Sequence, residues 1–110
     1  MKNVVILGST GSIGKSTLDV IRNLEHKYNV VALSANSQWE LLSEQVREFK
    51  PESVSLANEQ YIDSLRKSLP DNSVQILTGA NSVREMVSKE NVDIVLSAIV
   101  GGAGLPAAIE

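Results

Sequence analysis

Apolar-rich runs of strand length alternate with helix-patterned segments along the whole sequence, and this alternation restricts the fold more than any other feature. The runs fall at residues 4–7, 30–33, 54–57, 74–77 and 92–100. Nearly continuous apolar character, rather than one residue in two, predicts strands covered on both faces. Between them, Ile13, Thr17, Val20, Ile21 and Leu24 recur at helical intervals, as do Leu42, Val46 and Phe49. Lys50-Pro51 is expected to end the second helix. Asn58 stands where it can cap a third, running through Tyr61, Ile62, Leu65 and Leu69. Pro70-Asp71-Asn72 reads as a turn, and Val83, Met86 and Val87 line a short fourth helix. Strands separated by helices pair in parallel through right-handed crossovers, which leaves helices on both faces of the sheet. The predicted fold class is α/β, a Rossmann-like doubly wound parallel sheet with five strands visible before the sixth.

A chain of 110 residues suits one domain, and no repeat or low-complexity linker divides it. The net charge of −3 provides no basic face for nucleic acid and no cationic stripe for a membrane surface. With no cysteine, disulfides, thiolate zinc sites and cysteine nucleophiles are all excluded. The apolar run at 4–7 is too short for a signal-peptide core or a membrane span, so a cytoplasmic protein is expected. Leu105-Pro106-Ala107-Ala108 reads as the opening turn of a helix, and one turn does not offset the cost of nucleation. Residues 1–110 are therefore expected to be an incomplete domain at the front of a longer protein. A missing sixth strand would leave an apolar edge that invites association.

The first strand runs into Gly8-Ser9-Thr10-Gly11-Ser12-Ile13-Gly14, and the first helix follows. A dinucleotide turn at this place needs three glycines: one for the tight turn, one for close approach of the backbone to the pyrophosphate, one for helix-to-strand packing. The spacing here, G-x-x-G-x-x-G, is a variant of the commoner G-x-G-x-x-G. N–H groups at the start of the helix then face the phosphates, and Thr10 and Ser12 can add hydroxyl donors. A nucleoside-triphosphate loop competes for the same stretch, because Gly14-Lys15-Ser16 resembles its end. That loop needs four residues between its glycines, whereas Gly8 and Gly14 are separated by five. Nor does a carboxylate follow the fifth strand, where Ser97-Ala98 stand and Asp93 lies at the opposite end. Lys15 is then a solvated residue of the first helical turn.

Sites for NAD place an acid at the end of the second strand to bind the ribose hydroxyls. Here that place reads Ser34-Ala35-Asn36-Ser37-Gln38, with no acid. Its absence favours NADPH, whose 2′-phosphate a carboxylate would repel. Ser37 can also cap the second helix, whose N–H groups could receive that phosphate.

Ile6-Leu7-Gly8-Ser9-Thr10-Gly11-Ser12-Ile13-Gly14, followed by Ser16-Thr17-Leu18-Asp19-Val20-Ile21, resembles the opening of the 1-deoxy-D-xylulose 5-phosphate reductoisomerases. Ala98-Ile99-Val100-Gly101 with Ala103-Gly104-Leu105 is similar to the segment after that family's fifth strand. The resemblance runs from Met1 to Glu110 and covers only the N-terminal part of such an enzyme. It implies NADPH as cofactor and, in the full-length family, a phosphorylated sugar substrate, a divalent metal (Mg or Mn) and a homodimer. The family rearranges and reduces that substrate to 2-C-methyl-D-erythritol 4-phosphate on the non-mevalonate route to isoprenoids. Carried over by position, Thr10, Gly11, Ser12 and Ile13 would bind the pyrophosphate, and Asn36, Ser37 and Gln38 would face the 2′-phosphate. Ala98 and Ile99 would lie beside the cofactor. The family's metal ligands, substrate-phosphate ligands and closing loop lie beyond Glu110, so no catalytic or metal residue is expected here.

The other chemistry-bearing residues read more plainly. His26 is the only histidine and is expected on the surface at a helix end. Trp39 could cover an adenine, but an aromatic at a helix start is more often packing. Asp19 is expected on a helix flank and Asp93 at the wrong end of a strand for this fold, so neither reads as part of an acid–base pair. Two other readings stay open: another NADP oxidoreductase or epimerase, and a nucleotide-sensing module without chemistry.

Overall fold

The computed structural model describes residues 2–24, 27–69, 74–78 and 81–98. His26, the turn at 70–72, Ile99 and the segment from 100 to 110 lie outside them. The described chain runs β1 (Lys2–Leu7), α1 (Ser12–Asn23), β2 (Tyr28–Ala35), α2 (Trp39–Phe49) and β3 (Ser53–Leu56). A 3-10 turn (Glu59–Tyr61), α3 (Ile62–Ser68), β4 (Gln75–Leu77), α4 (Ser82–Val87) and β5 (Ile94–Ser97) follow. All five strands are parallel, in the order β4-β3-β2-β1-β5. The chain steps outward from β1 to β4, then crosses back to place β5 on the other side of β1. That reversal puts α1, α2 and α3 on one face and α4 on the other, which is the doubly wound arrangement.

Each face has its own core. Val4 and Ile6 of β1 pack with Leu33, Val54 and Leu56, and against Leu18 and Ile21 of α1, Leu42 and Val46 of α2, and Ile62 and Leu65 of α3. Val5 points the other way, to Val31, Ala32, Leu77, Val95 and Met86 of α4. Burial on both faces is why residues 4–7 are apolar throughout, whereas β3 alternates the buried serines Ser53 and Ser55 with Val54 and Leu56. Strand β2 carries an irregularity: Val4 pairs with Val30 and Val5 with Ala32, so Val31 is an extra residue in the ladder. Consecutive Val31 and Ala32 therefore face the same side, while Val30 and Leu33 both face the other.

Helix α1 turns a different side to the sheet than its large apolar residues suggest. Gly14, Leu18 and Ile21 are buried, whereas Ile13 and Val20 are 51% and 58% exposed. Gly14 decides this. Only a residue without a Cβ fits where it meets the glycine turn, so its side of the helix faces inward and Ile13 and Val20 are carried outward. Helix α2 ends at Lys50, in the left-handed region at φ 50, with its N–H on the Val46 carbonyl at 2.9 Å. Asn58 caps as expected, its Oδ1 accepting from the Gln60 N–H at 3.2 Å, but it opens a 3-10 turn before α3 begins. Strand β5 is shorter than the apolar run that announces it. Val92 lies before it, packed against the second core, and pairing with β1 begins at Ile94 opposite Val4.

Candidate functional site

The glycine turn joins β1 to α1 at the C-terminal ends of the strands, beside the crossover reversal between β1 and β5. Gly8 has φ 79, a conformation that a residue with a Cβ rarely adopts, and it makes the tight turn. The N–H groups of Gly8 and Ser9 both donate to the Ser34 carbonyl at 2.9 Å, and the Gly8 N–H also reaches Ser34 Oγ at 3.2 Å. These bonds hold the turn to the end of β2. Gly14 supplies the close packing: a Cβ there would fall 2.2 Å from the Gly8 carbonyl oxygen and 2.7 Å from the Ser9 Cα. Gly11, by contrast, is exposed, and a Cβ there would meet the Gly8 oxygen at an ordinary 3.7 Å. Its lack of a side chain is not needed by the fold.

Helix α1 starts at this turn without a side-chain cap and without an acid in its first turn. Its leading N–H groups lack helical partners, and the helix dipole favours an anion there. Next to it opens a cleft of about 690 Å³, within the range of small-molecule sites. Thr10 and Gly11 line one side, and Asn36, Ser37 and Gln38 after β2 line another. Ser55 of β3 and Ala57 just after it, Ser82 and Val83 from α4, and Ala98 after β5 also line it. Glu59 is the only charged residue among those described that line it.

Five of the seven residues expected at the site thus come together. Ser12 and Ile13 do not line this cleft; their side chains border a shallower depression with Ser16, Thr17 and Val20 on the outer side of α1. Ser37 does not cap α2 through its hydroxyl. The N-cap is Gln38, with no side-chain hydrogen bond, and it is the Ser37 carbonyl that accepts from the Trp39 N–H at 2.8 Å. The reason is local: the bend at Asn36 and Ser37 delays the helix by one residue. Ser55 and Ser82, whose hydroxyls meet at 2.6 Å in the buried floor, carry no sequence signal of a place at the site. Trp39 packs against the core beneath α2. Asp19 pairs with Arg22 on the surface, and Asp93 accepts from the Asn3 N–H at 2.7 Å at the far end of the sheet. Among the described residues no three His, Asp or Glu side chains gather as metal ligands. The cleft joins an uncapped helix start to a polar lining, with Glu59 the one carboxylate among the described residues that line it.

Comparison with known proteins agrees with this geometry. A sequence model of the 1-deoxy-D-xylulose 5-phosphate reductoisomerase family matches residues 4–110. The reductoisomerase of Thermoanaerobacter sp. (strain X514) is 49% identical over 105 residues, which is 96% of this chain and 27% of the relative. That of Phocaeicola vulgatus is 45% identical over 104 residues, 94% of this chain and 27% of the relative. The Zymomonas mobilis enzyme solved with NADPH superposes with a TM-score of 0.83 at 33% identity, covering 94% of this chain and 27% of that one. A reductoisomerase solved with NADPH, fosmidomycin and magnesium gives 0.85 at 37%, covering 96% and 26%. The chain spans about a quarter of the length of the relatives it matches.

Proposed function

The chain belongs to the 1-deoxy-D-xylulose 5-phosphate reductoisomerase family, and from that membership we propose that residues 1–110 form part of the NADPH-binding domain of such an enzyme. The whole enzyme would rearrange and reduce 1-deoxy-D-xylulose 5-phosphate to 2-C-methyl-D-erythritol 4-phosphate, with NADPH supplying the hydride. One observation carries the reading: an uncapped, acid-free helix start, set behind a φ 79 glycine, opens on a cleft at the strand ends.

In this reading Thr10, Ser12 and Ile13 present backbone N–H groups to the pyrophosphate, and Gly11, whose own N–H donates to the Gly8 carbonyl at 3.3 Å, lets the phosphates approach closely. Asn36, Ser37 and Gln38 receive the 2′-phosphate through neutral polar groups, a weaker hold than an arginine fork would give. The small side chain of Ala98 at the end of β5 leaves room for the cofactor's path across the strand ends. This part of the chain binds and orients. The magnesium present with relatives finds no ligand set among the described residues, so no step through a metal is assigned here. No described helix is long and apolar enough to cross a membrane. The absence of cysteine and the net charge of −3 support a cytoplasmic enzyme that does not engage nucleic acid; the family resemblance adds a homodimer.

Calorimetric titration with NADPH and with NADH tests the proposal. Binding of NADPH in preference to NADH is expected. Binding of neither would overturn the cofactor reading, and tighter NADH binding would overturn the role given to residues 36–38.

A further inference from the structure

The glycine turn is fastened from below by a helix that does not adjoin it in sequence. Gln45, in the middle of α2, is buried, and Ser9 is fully so. Gln45 Oε1 accepts a hydrogen bond from Ser9 Oγ at 2.7 Å, while its Nε2 donates to the Ser9 carbonyl at 2.9 Å. The amide orientation is fixed by this pairing, since the reverse would set its oxygen against a carbonyl that has no proton to give. A carboxamide buried beside Leu42 and Val46 is costly unless both ends are paired. Here both ends are spent on one residue. An aliphatic side chain would fill the same space without needing partners, so packing alone does not ask for glutamine.

What the two bonds do is orient a peptide. The C=O of Ser9 and the N–H of Thr10 belong to one trans peptide unit and point in opposite directions. Drawing the Ser9 carbonyl inward onto Gln45 therefore turns the Thr10 N–H outward, toward the side on which Thr10 and Gly11 line the cleft. Helix α2 also begins at Trp39, directly after Asn36, Ser37 and Gln38, the residues assigned to the 2′-phosphate. One helix thus sets the aim of the first anchor and the location of the second.

We propose that Gln45 is a positioning residue for the dinucleotide: it holds the Ser9–Thr10 peptide so that its N–H faces the pyrophosphate, at a fixed distance from the 2′-phosphate anchor. This rests on the NADPH reading above. The test uses the full-length protein, titrated with NADPH and with 2′-AMP, which carries the 2′-phosphate end without a pyrophosphate. In Gln45→Leu, NADPH should bind about tenfold more weakly, the cost of one misaligned charge-assisted hydrogen bond, with 2′-AMP unchanged within about twofold. The KM for NADPH should rise accordingly while kcat is retained. Equal losses for both ligands, or no loss of NADPH affinity, would overturn the proposal. If Gln45→Leu does not fold, Gln45→Met, unbranched and of similar length, is read by the same criteria. Wild-type protein that binds neither ligand would overturn the cofactor reading and this role with it. A wild type that binds both, beside an unaffected variant, would overturn the role of Gln45 alone.

Discussion

Gly14 and Gly8 meet across the start of α1 with no room for a methyl group: a Cβ on Gly14 would stand 2.2 Å from the Gly8 carbonyl oxygen. Both partners are backbone, so neither can rotate away as a side chain could. Gly14→Ala should push α1 off the turn and cost about 2–3 kcal/mol, the upper range for overpacking. Denaturant unfolding followed by circular dichroism reads this directly, and a loss below about 0.5 kcal/mol would contradict the contact.

Gly11 predicts the opposite pattern. A side chain there has ordinary space within the protein, so Gly11→Val should fold with a melting temperature close to wild type. Its branched side chain would occupy the face from which the pyrophosphate approaches, and NADPH affinity should fall at least about tenfold, or 1.4 kcal/mol. Unchanged affinity in titration would contradict the proposed pose.

Leu18 and Val20 lie two residues apart on α1 with unlike fates, one 2% and the other 58% exposed. Leu18→Ala should cost about 3 kcal/mol through lost burial and the cavity left behind. Val20→Ala should stay within about 0.5 kcal/mol, and the better helix propensity of alanine could make it slightly stabilising. Equal losses in thermal unfolding would mean that the helix presents a different face.

Arg22 joins α1 to α2 by pairing with Glu48 and Asp19 while lying 5.5 Å over the Phe49 ring. The bond from Arg22 holds the Glu48 carboxyl below its ordinary value. A carboxylate with a lowered folded pKa adds stability above the ordinary glutamate range, and loses it as pH falls through the lowered value. Wild-type stability should therefore drop more steeply than that of Glu48→Gln in melts taken from about pH 6 down to pH 2, the two curves converging in acid. Because the pair is half exposed, high salt should shrink the difference. Parallel pH profiles would show that the pair adds nothing to stability.

The sequence makes the strand-and-helix order and the roles of Gly8 and Gly14 legible, because apolar runs of strand length and a three-glycine turn have few alternative uses. Residues 36–38 could be placed at the cleft for the same reason: they follow the second strand of a fold whose strand ends form the site. The orientation of α1 was not legible. Ile13 and Val20 outweigh Gly14 in any count of hydrophobicity, yet it is the absence of a Cβ that fixes which side faces inward. Ser55, Ser82 and Gln45 were also invisible, since they reach the site through sheet register and tertiary packing. A polar residue on a helix face normally reads as solvated, and nothing local to Gln45 distinguishes it from Glu44.

The extra residue at Val31 in β2 marks a place where a buried strand can change length. Removing Val31 would leave Val30, Ala32, Leu33 and Ser34 alternating regularly between the two faces, with Ser34 still delivered to the glycine turn. Elsewhere in β1 or β2 a single-residue gain or loss would turn half a strand inside out. Loss of one residue at the Val31–Ala32 step therefore shortens the buried strand while every other side chain of β2 keeps its face of the sheet.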